Sequence, residues 1–319
     1  MEALSKQLEA HFQVVSTSEQ SNKFLRALEM LRTFFRVQHR TDLVILDTYS
    51  TLNFYYAWGF ALLCRFFRKP YLCYLHGGNL PARLAGSPSM SRAVFGSSFA
   101  NVAPSGYLKT ALEQAGFNAT CIPNFIRIER YPFVQRARIR PNLLWVRAFE
   151  QTYHPEMSVR VFAAIQKTYP EARLFMVGPD KDGSMERCKS LAVRLGLGQQ
   201  VQFPGQLTKA TWIELSADYD IFLSTPHFDN TPVSVVEAMA LGLPVVSTGV
   251  GGMPYLIEHG KDGLLSPDAD EAAMIRHLQL LLTDPDLAGS LSRNARQKAE
   301  NFDWKMVENQ WLELIHQAP

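Results

Sequence analysis

Two carboxylates stand with seven residues between them in the stretch DNTPVSVVEAMALGLP, Asp229 to Pro244. Around them lie the signals of a helix boundary. Thr231 suits an N-cap, Pro232 a first helical position and Gly242 a close, so the spacing predicts a helix from about Pro232 to Leu241. The unpaired N–H groups and partial positive charge at its start suit an anion, a diphosphate in particular. At about 1.5 Å per residue, Glu237 lies ~7 Å along the axis from that end. A nucleotide diphosphate held there would offer its ribose hydroxyls to Glu237, while Asp229 would meet the group beyond the phosphates. A carboxylate accepts hydrogen bonds on both oxygens, which suits vicinal diols. The pattern fits a sugar nucleotide better than a bare nucleotide.

Two further side chains stand where strand-like runs stop. His76 closes YLCYLH and is followed by Gly77, Gly78 and Asn79, which let backbone approach a ligand. Asp47 closes LVILD and can reach a hydroxyl. Each also has a plainer reading, a histidine held by the core and a carboxylate capping a strand end. No carboxylate or histidine cluster has metal-ligand spacing, so neither a metal nor another cofactor is expected.

These residues need a scaffold, and the chain alternates strand-like apolar runs with helical patterns. HFQVVSTS, DLVILDTY, PYLCYLHGG, FANVAPS and ATCIPNF are spaced by helices such as NKFLRALEMLRTFFR and GYLKTALEQAG. After YPFVQRARIRP, Tyr131 to Pro141, the alternation restarts with NLLWVRAF, ARLFMVGPD, VQFPGQ, YDIFLSTP and LPVVSTGV. Continuous apolar strands, each followed by a helix, imply parallel sheets covered on both faces. The basic, proline-bearing stretch reads as a linker. The expected architecture is α/β, with two doubly wound, Rossmann-like parallel-sheet domains at 1–137 and 138–302. Such folds bind ligands beyond the carboxyl ends of their strands. A closing amphipathic helix over 303–319 follows, with Asp303 as N-cap and Val307, Trp311, Leu314 and Ile315 on one face.

The composition excludes other classes. The 319 residues suffice for two domains, and 47% hydrophobic with 19% charged residues is the profile of a water-soluble globular chain. A net charge of +2 argues against nucleic acid as a partner. Cys64, Cys73, Cys121 and Cys188 are scattered, as expected for reduced thiols in the cytoplasm. MEALSKQLEAHF is a charged amphipathic helix pattern, not a signal peptide. The most apolar run, TLNFYYAWGFALLC before RFFRKP, is too short to span a bilayer. It reads either as a helix buried against a sheet or as an aromatic and basic surface resting on a membrane.

The acid, the seven-residue gap, EAMA.G.PVV, the later GG and GKDGLL together resemble the donor-site signature of retaining glycosyltransferases of family 4, which have the GT-B fold. The similarity runs on through ARLFMVGPD, VQFPGQ and NVAPSGYLKTALEQAGFNATCIPNF, nearly the whole chain. The resemblance implies that Glu237 binds the donor ribose and that Asp229, where the family usually has Glu, contacts the transferred sugar. It implies a donor-binding loop at Asn230, Thr231, Pro232 and Val233, and a base-reading loop at Gly205 and Gln206 that acts through backbone groups. Arg147 matches the arginine that binds the leaving diphosphate, and His76 a histidine close to the transferred sugar. His76, Arg147 and Asp229 are then the catalytic set, with Asp47, Gly77, Gly78 and Asn79 on the acceptor side. The family usually places a lysine shortly after the arginine. Here stand Gln151, Tyr153, His154 and Pro155, of which only His154 can become cationic. Either His154 substitutes in part, or Arg147 and the helix end carry the charge alone.

The resemblance further implies transfer of a hexosyl-type sugar from a nucleotide diphosphate sugar to a hydroxyl acceptor, with no metal and with the last helix crossing back to the first domain. The family and the aromatic run point to a cell-envelope or exopolysaccharide glycan, lipid-linked, as acceptor, and to peripheral contact with the inner face of a membrane. A non-catalytic nucleotide-sugar-binding subunit is the alternative. An epimerase would need acid and base residues around the hexose C2, and no such set can be assigned. The family's first domain opens with a strand and a glycine-rich turn ahead of the helix that MEALSKQLEAHF resembles. The expectation is that this strand is missing and that the first domain is poorly stable.

Overall fold

The computed structural model describes residues 2–17, 20, 22–136 and 138–319. The strands lie in two sheets. One holds β1 (Val44–Tyr49), β2 (Tyr71–His76), β3 (Ala100–Ala103) and β4 (Thr120–Cys121), in the order β1-β2-β3-β4. The other holds β5 (Asn142–Val146), β6 (Arg173–Val177), β7 (Val201–Gly205), β8 (Ile221–Ser224), β9 (Val245–Thr248) and β10 (Leu264–Ser266), in the order β10-β9-β8-β5-β6-β7. Strands β1 to β3 and β5 to β10 pair in parallel. Helices follow most strands, which is why central runs such as Leu143, Leu144 and Trp145 are apolar on both faces and buried.

The chain divides into two compact units. One comprises Met1–Ala103, Ala111–Thr120 and Leu312–Pro319, the other Pro104–Thr110 and Cys121–Trp311. The last helix, Trp304–His316, is shared out by this division. Residue 137, where the sequence sets a domain boundary, lies outside the described residues. The stretch before it is a packed part of the second unit. Arg136 is 4% exposed there and donates to the carbonyls of Val134, Leu241, Ser216 and Tyr219.

Three readings change. HFQVVSTS forms no strand over its described residues 11–17. Alternating apolar residues become a strand only where a neighbour offers an open ladder, and β1 is paired with β2 alone among the described strands. Asp47 lies inside β1, two residues before its end, because the strand continues to Tyr49. The GKDGLL segment contributes β10, which the apolar pattern did not announce since it is three residues long. The apolar helix Phe54–Phe66 buries Phe54, Ala57, Phe60, Ala61 and Cys64 and exposes Tyr55 and Phe66. Among the described residues no helix is long and apolar enough to cross a membrane. All four cysteines are free, and only Cys121 is exposed.

Candidate active site

Strands β5 and β8 are neighbours, with Leu143 opposite Ile221 and Leu144 opposite Phe222, and the strand order reverses between them. A doubly wound sheet offers a ligand crevice beyond the carboxyl ends at that point. Arg147 is the first residue after β5, and Asp229 stands in the loop after β8. Arg147 Nη2 donates to Asp229 Oδ2 at 2.7 Å. The Tyr153 ring lies under the guanidinium, 4.3 Å from its carbon, and holds its plane by cation–π contact. Arg147 Nε is buried without a hydrogen-bond partner among the described residues. Burial pushes the Asp229 carboxyl above its ordinary range, while Arg147 and the Asn230 N–H act against that shift.

Two close approaches of backbone fix this pair. A Cβ at Gly178 would sit 1.7 Å from the Arg147 carbonyl oxygen, and one at Gly252 would sit 2.0 Å from that of Asn230. Gly252 N–H also donates to Asp229 O at 3.0 Å. From the other side Ser105 Oγ donates to Asn230 Oδ1, and Asn124 Nδ2 donates to Thr231 O at 3.2 Å.

The helix after this loop runs Val233–Ala240, one residue later than expected, with Pro232 as its N-cap at ψ 120. An extended Pro232 cannot be the first helical residue. Thr231 therefore lies outside the capping position, and its hydroxyl donates to Pro104 O at 3.4 Å instead. Val235 and Val236 N–H both donate to Pro232 O. The N–H groups of Val233 and Ser234 have no acceptor among the described residues, which leaves two donors at the helix start. Gly242 closes the helix at φ +79. Arg136 donates to Leu241 O, and Arg296 Nη1 donates to Ala240 O at 2.8 Å. Two guanidinium groups at the carbonyl end complement the helix dipole.

Glu237, one turn inside, is 3% exposed. Its Oε1 accepts from Tyr131 Oη at 2.7 Å and from Lys209 Nζ. Burial, then the Glu237 charge, push the Tyr131 phenol far up, so it remains a donor. Arg296 Nη1 also holds Tyr131 O at 2.9 Å. Gly205 ends β7 at φ +80, Gln206 is exposed, and Lys209 opens the helix that follows.

The loop after β5 is stitched to the loop after β8. Thr225 Oγ1 lies 3.0 Å from Tyr153 O and 3.1 Å from His154 O. His154 sits at φ +44 and stacks on His227 at 4.2 Å. Burial lowers the pKa of His154, and His227 and Arg160 lower it further. The ring is therefore neutral near pH 7, and Arg147 and Lys209 are the cations bonded to the two motif carboxylates.

Of the residues read from sequence, Arg147, Asp229, Asn230, Thr231, Pro232, Val233 and Glu237 come together around β5, β8 and the helix start. Asp47, His76, Gly77, Gly78 and Asn79 lie in the first unit. There His76 Nε2 and Asp47 Oδ1 are 2.7 Å apart, Tyr49 stacks on the imidazole at 4.8 Å, and Tyr74 meets it edge-on at 4.4 Å. Gly77 takes φ +84, and Asn79 precedes the helix Leu80–Gly86. Sequence reasoning missed Tyr131, Lys209, Arg136 and Arg296. The first and third lie in the supposed linker, and no pattern marks the other two. No group of three or more His, Cys, Asp or Glu residues could hold a metal ion among the described residues.

Residues 131–298 match the family model described as glycosyl transferases group 1. The chain is 31% identical over 160 residues to a D-inositol 3-phosphate glycosyltransferase of Streptomyces avermitilis, covering 47% of this chain and 34% of that protein. It is 29% identical over 153 residues to a sulfoquinovosyl transferase of Arabidopsis thaliana, covering 47% of this chain and 29% of that protein. The alignments thus span about a third of those relatives' length. The fold superposes on sucrose-phosphate synthase of Thermosynechococcus elongatus with TM-score 0.80 and 21% identity over 96% of this chain and 82% of that one. It superposes on Anabaena HepE in complex with UDP and glucose with TM-score 0.79 and 20% identity, over 98% and 89%. The fold is that of the GT-B glycosyltransferases.

Proposed function

Because this chain belongs to the glycosyl transferases group 1 family, we propose that it is a retaining transferase of family 4 type that moves a hexosyl-type sugar from a nucleotide diphosphate sugar to a hydroxyl acceptor. The observation that carries the reading is the second unit's helix start. Two unpaired N–H groups at Val233 and Ser234 stand between an acid paired with a cation, Asp229 with Arg147, and another, Glu237 with Lys209. The helix end receives the diphosphate, Glu237 Oε2 receives a ribose hydroxyl, and Asp229 orients the transferred sugar.

Arg147 is preorganised by Tyr153 and Asp229, so it meets the charge that develops on the leaving diphosphate without reorganising. That diphosphate takes the acceptor proton on the face it leaves, which retains the anomeric configuration. No step calls for a metal. Gly205 and Gln206 read the base through backbone groups, and Asn230 to Val233 form the donor loop. On the first unit, Asp47 holds one nitrogen of His76, which fixes the ring, and Gly77, Gly78 and Asn79 follow it as the acceptor-side group.

A lipid-linked glycan of cell-envelope or exopolysaccharide synthesis is the acceptor class, with the protein in the cytoplasm at the inner face of the membrane. The exposed aromatic side chains Phe24, Phe35 and Phe66, with Arg36, Arg65 and Arg68 close by in sequence, support contact with an anionic surface.

The test is incubation of the protein with a panel of nucleotide sugars, read by mass spectrometry of bound ligand and of released nucleoside diphosphate. UDP-sugars come first, since HepE is solved with UDP. Binding with turnover supports the transferase. Binding without turnover favours a nucleotide-sugar-binding subunit, and no binding to any donor overturns both.

A further inference from the structure

Glu237 is the buried member of an uneven pair. Its side chain is 4% exposed, whereas that of Lys209, whose ammonium it holds, is 55% exposed. Tyr131 and Lys209 both bond Oε1, and Oε2 has no partner among the described residues. A buried carboxylate that accepts from Tyr131 and, on Oε2, from a ribose hydroxyl keeps a satisfied shell if the ammonium leaves. The lysine is equally able to leave, because its stem is flexible and its charge a compact point with three donors. About one helical turn from Glu237, roughly 4.5–6 Å along the axis, are the unpaired N–H groups of Val233 and Ser234.

We propose that Lys209 is an exchangeable phosphate-binding cation: it neutralises Glu237 in the empty protein and moves to the diphosphate when a nucleoside diphosphate seats its ribose on Glu237 Oε2. The inference rests on the reading of Glu237 as the ribose acceptor. The charges call for such a group. A nucleoside diphosphate brings two to three negative charges to a helix end whose other strong cation, Arg147, is already bonded to Asp229. His154, the remaining candidate nearby, is held neutral by burial and by His227 and Arg160. The exchange leaves every charged group with a partner in both states. It also builds a preference into the site. A nucleoside without phosphates gains only the ribose contact on Oε2 and leaves the ammonium on Oε1, whereas a diphosphate also gives the ammonium a phosphate to bind.

The test compares Lys209→Met, Lys209→Arg and Glu237→Gln by calorimetry. UDP, ADP and GDP and their nucleosides are the probes, and the base that the wild type binds most tightly is used throughout. The expected result for Lys209→Met is diphosphate binding weakened roughly tenfold or more, with nucleoside binding unchanged or tighter. The diphosphate-to-nucleoside affinity ratio then falls by at least that factor. Lys209→Arg should keep most of the ratio, and the salt dependence of diphosphate binding should be shallower in the methionine variant. A ratio that stays the same in Lys209→Met, whether both affinities fall or neither does, overturns the proposal, since the ammonium is then only a counter-ion for Glu237. Diphosphate binding that survives Glu237→Gln undiminished instead removes the ribose reading itself. Melting curves separate misfolding from lost binding, and an exposed lysine side chain gives little reason for the former.

Discussion

Arg147 and Asp229 are bonded at 2.7 Å across the point where the second sheet reverses its strand order. Their side chains are 28% and 10% exposed, so the pair is only partly screened by solvent. Removing the guanidinium alone strands a buried carboxylate. Arg147→Ala is therefore expected to lower stability by about 1–3 kcal/mol, below the full cost of a deeply buried pair because the arginine is partly solvated. Arg147→Ala with Asp229→Asn should recover much of that loss, measured by denaturant melts of the two single variants and the double. Turnover should stay low in all three, on the order of 10²-fold down for the arginine change, because the charge on the leaving diphosphate grows toward the transition state. A rise in KM alone for Arg147→Ala would mean that the guanidinium merely holds the ground state.

Tyr131 contributes through Glu237. Its buried hydroxyl points the carboxylate and cannot ionise near neutrality, since burial and the neighbouring charge both raise its pKa. Tyr131→Phe should weaken nucleoside diphosphate binding by roughly three- to tenfold, the scale of one hydrogen bond to a charged group acting at second hand. Calorimetry reads this directly. Equal binding in the phenylalanine variant would show that Lys209 and the helix backbone orient Glu237 without it.

The glycine pair after β9 is a matter of space. Gly252 has an ordinary φ of −82, so alanine is compatible with the backbone, but its Cβ would stand 2.0 Å from Asn230 O. Gly252→Ala must push the loop at Asp229 and Asn230 away from the helix start. The expectation is a loss of about 1–3 kcal/mol and a larger fall in diphosphate affinity than in nucleoside affinity. Gly260→Ala is the contrast, since nothing lies within 4 Å of its Cβ, though its φ of +80 adds local strain. An intact site in Gly252→Ala would refute the close approach.

His154 gives a pH dependence whose sign is determined. Its pKa in the folded chain lies below the ordinary 6.5, through burial first and then through His227 and Arg160, against Glu156 and Asp268. Between the folded and unfolded values the unfolded chain binds more protons, so stability rises with pH across that window. The contribution is complete above about 6.5 and is lost as pH falls toward the folded pKa. Melting temperatures measured from about pH 7.5 down to 5 should fall. His154→Asn, which tolerates the left-handed φ of +44, should flatten the slope. An unchanged slope would assign the pH dependence to other groups.

The sequence by itself determined the local and the periodic. Apolar runs bounded by turns marked nine of the strands, from β1 to β9, most plainly β2, β5 and β6, because strands buried on both faces must be apolar whatever their neighbours. The helix carrying Glu237 was legible to within one residue from Pro232 and Gly242, since caps and breakers act over a single turn. The placing of Asp229 ahead of that helix and of Glu237 one turn inside it therefore followed without any tertiary knowledge. What the carboxylates touch did not. Lys209 is 28 positions from Glu237 and Tyr131 106, and Arg147 is 82 from Asp229. Such partners are set by which strands are neighbours, and that order, β8 beside β5 and not beside β7, is a property of the folded sheet. The same reason explains HFQVVSTS. Its alternation is that of a strand, but a strand exists only where another offers hydrogen bonds, and only the tertiary structure decides where that is.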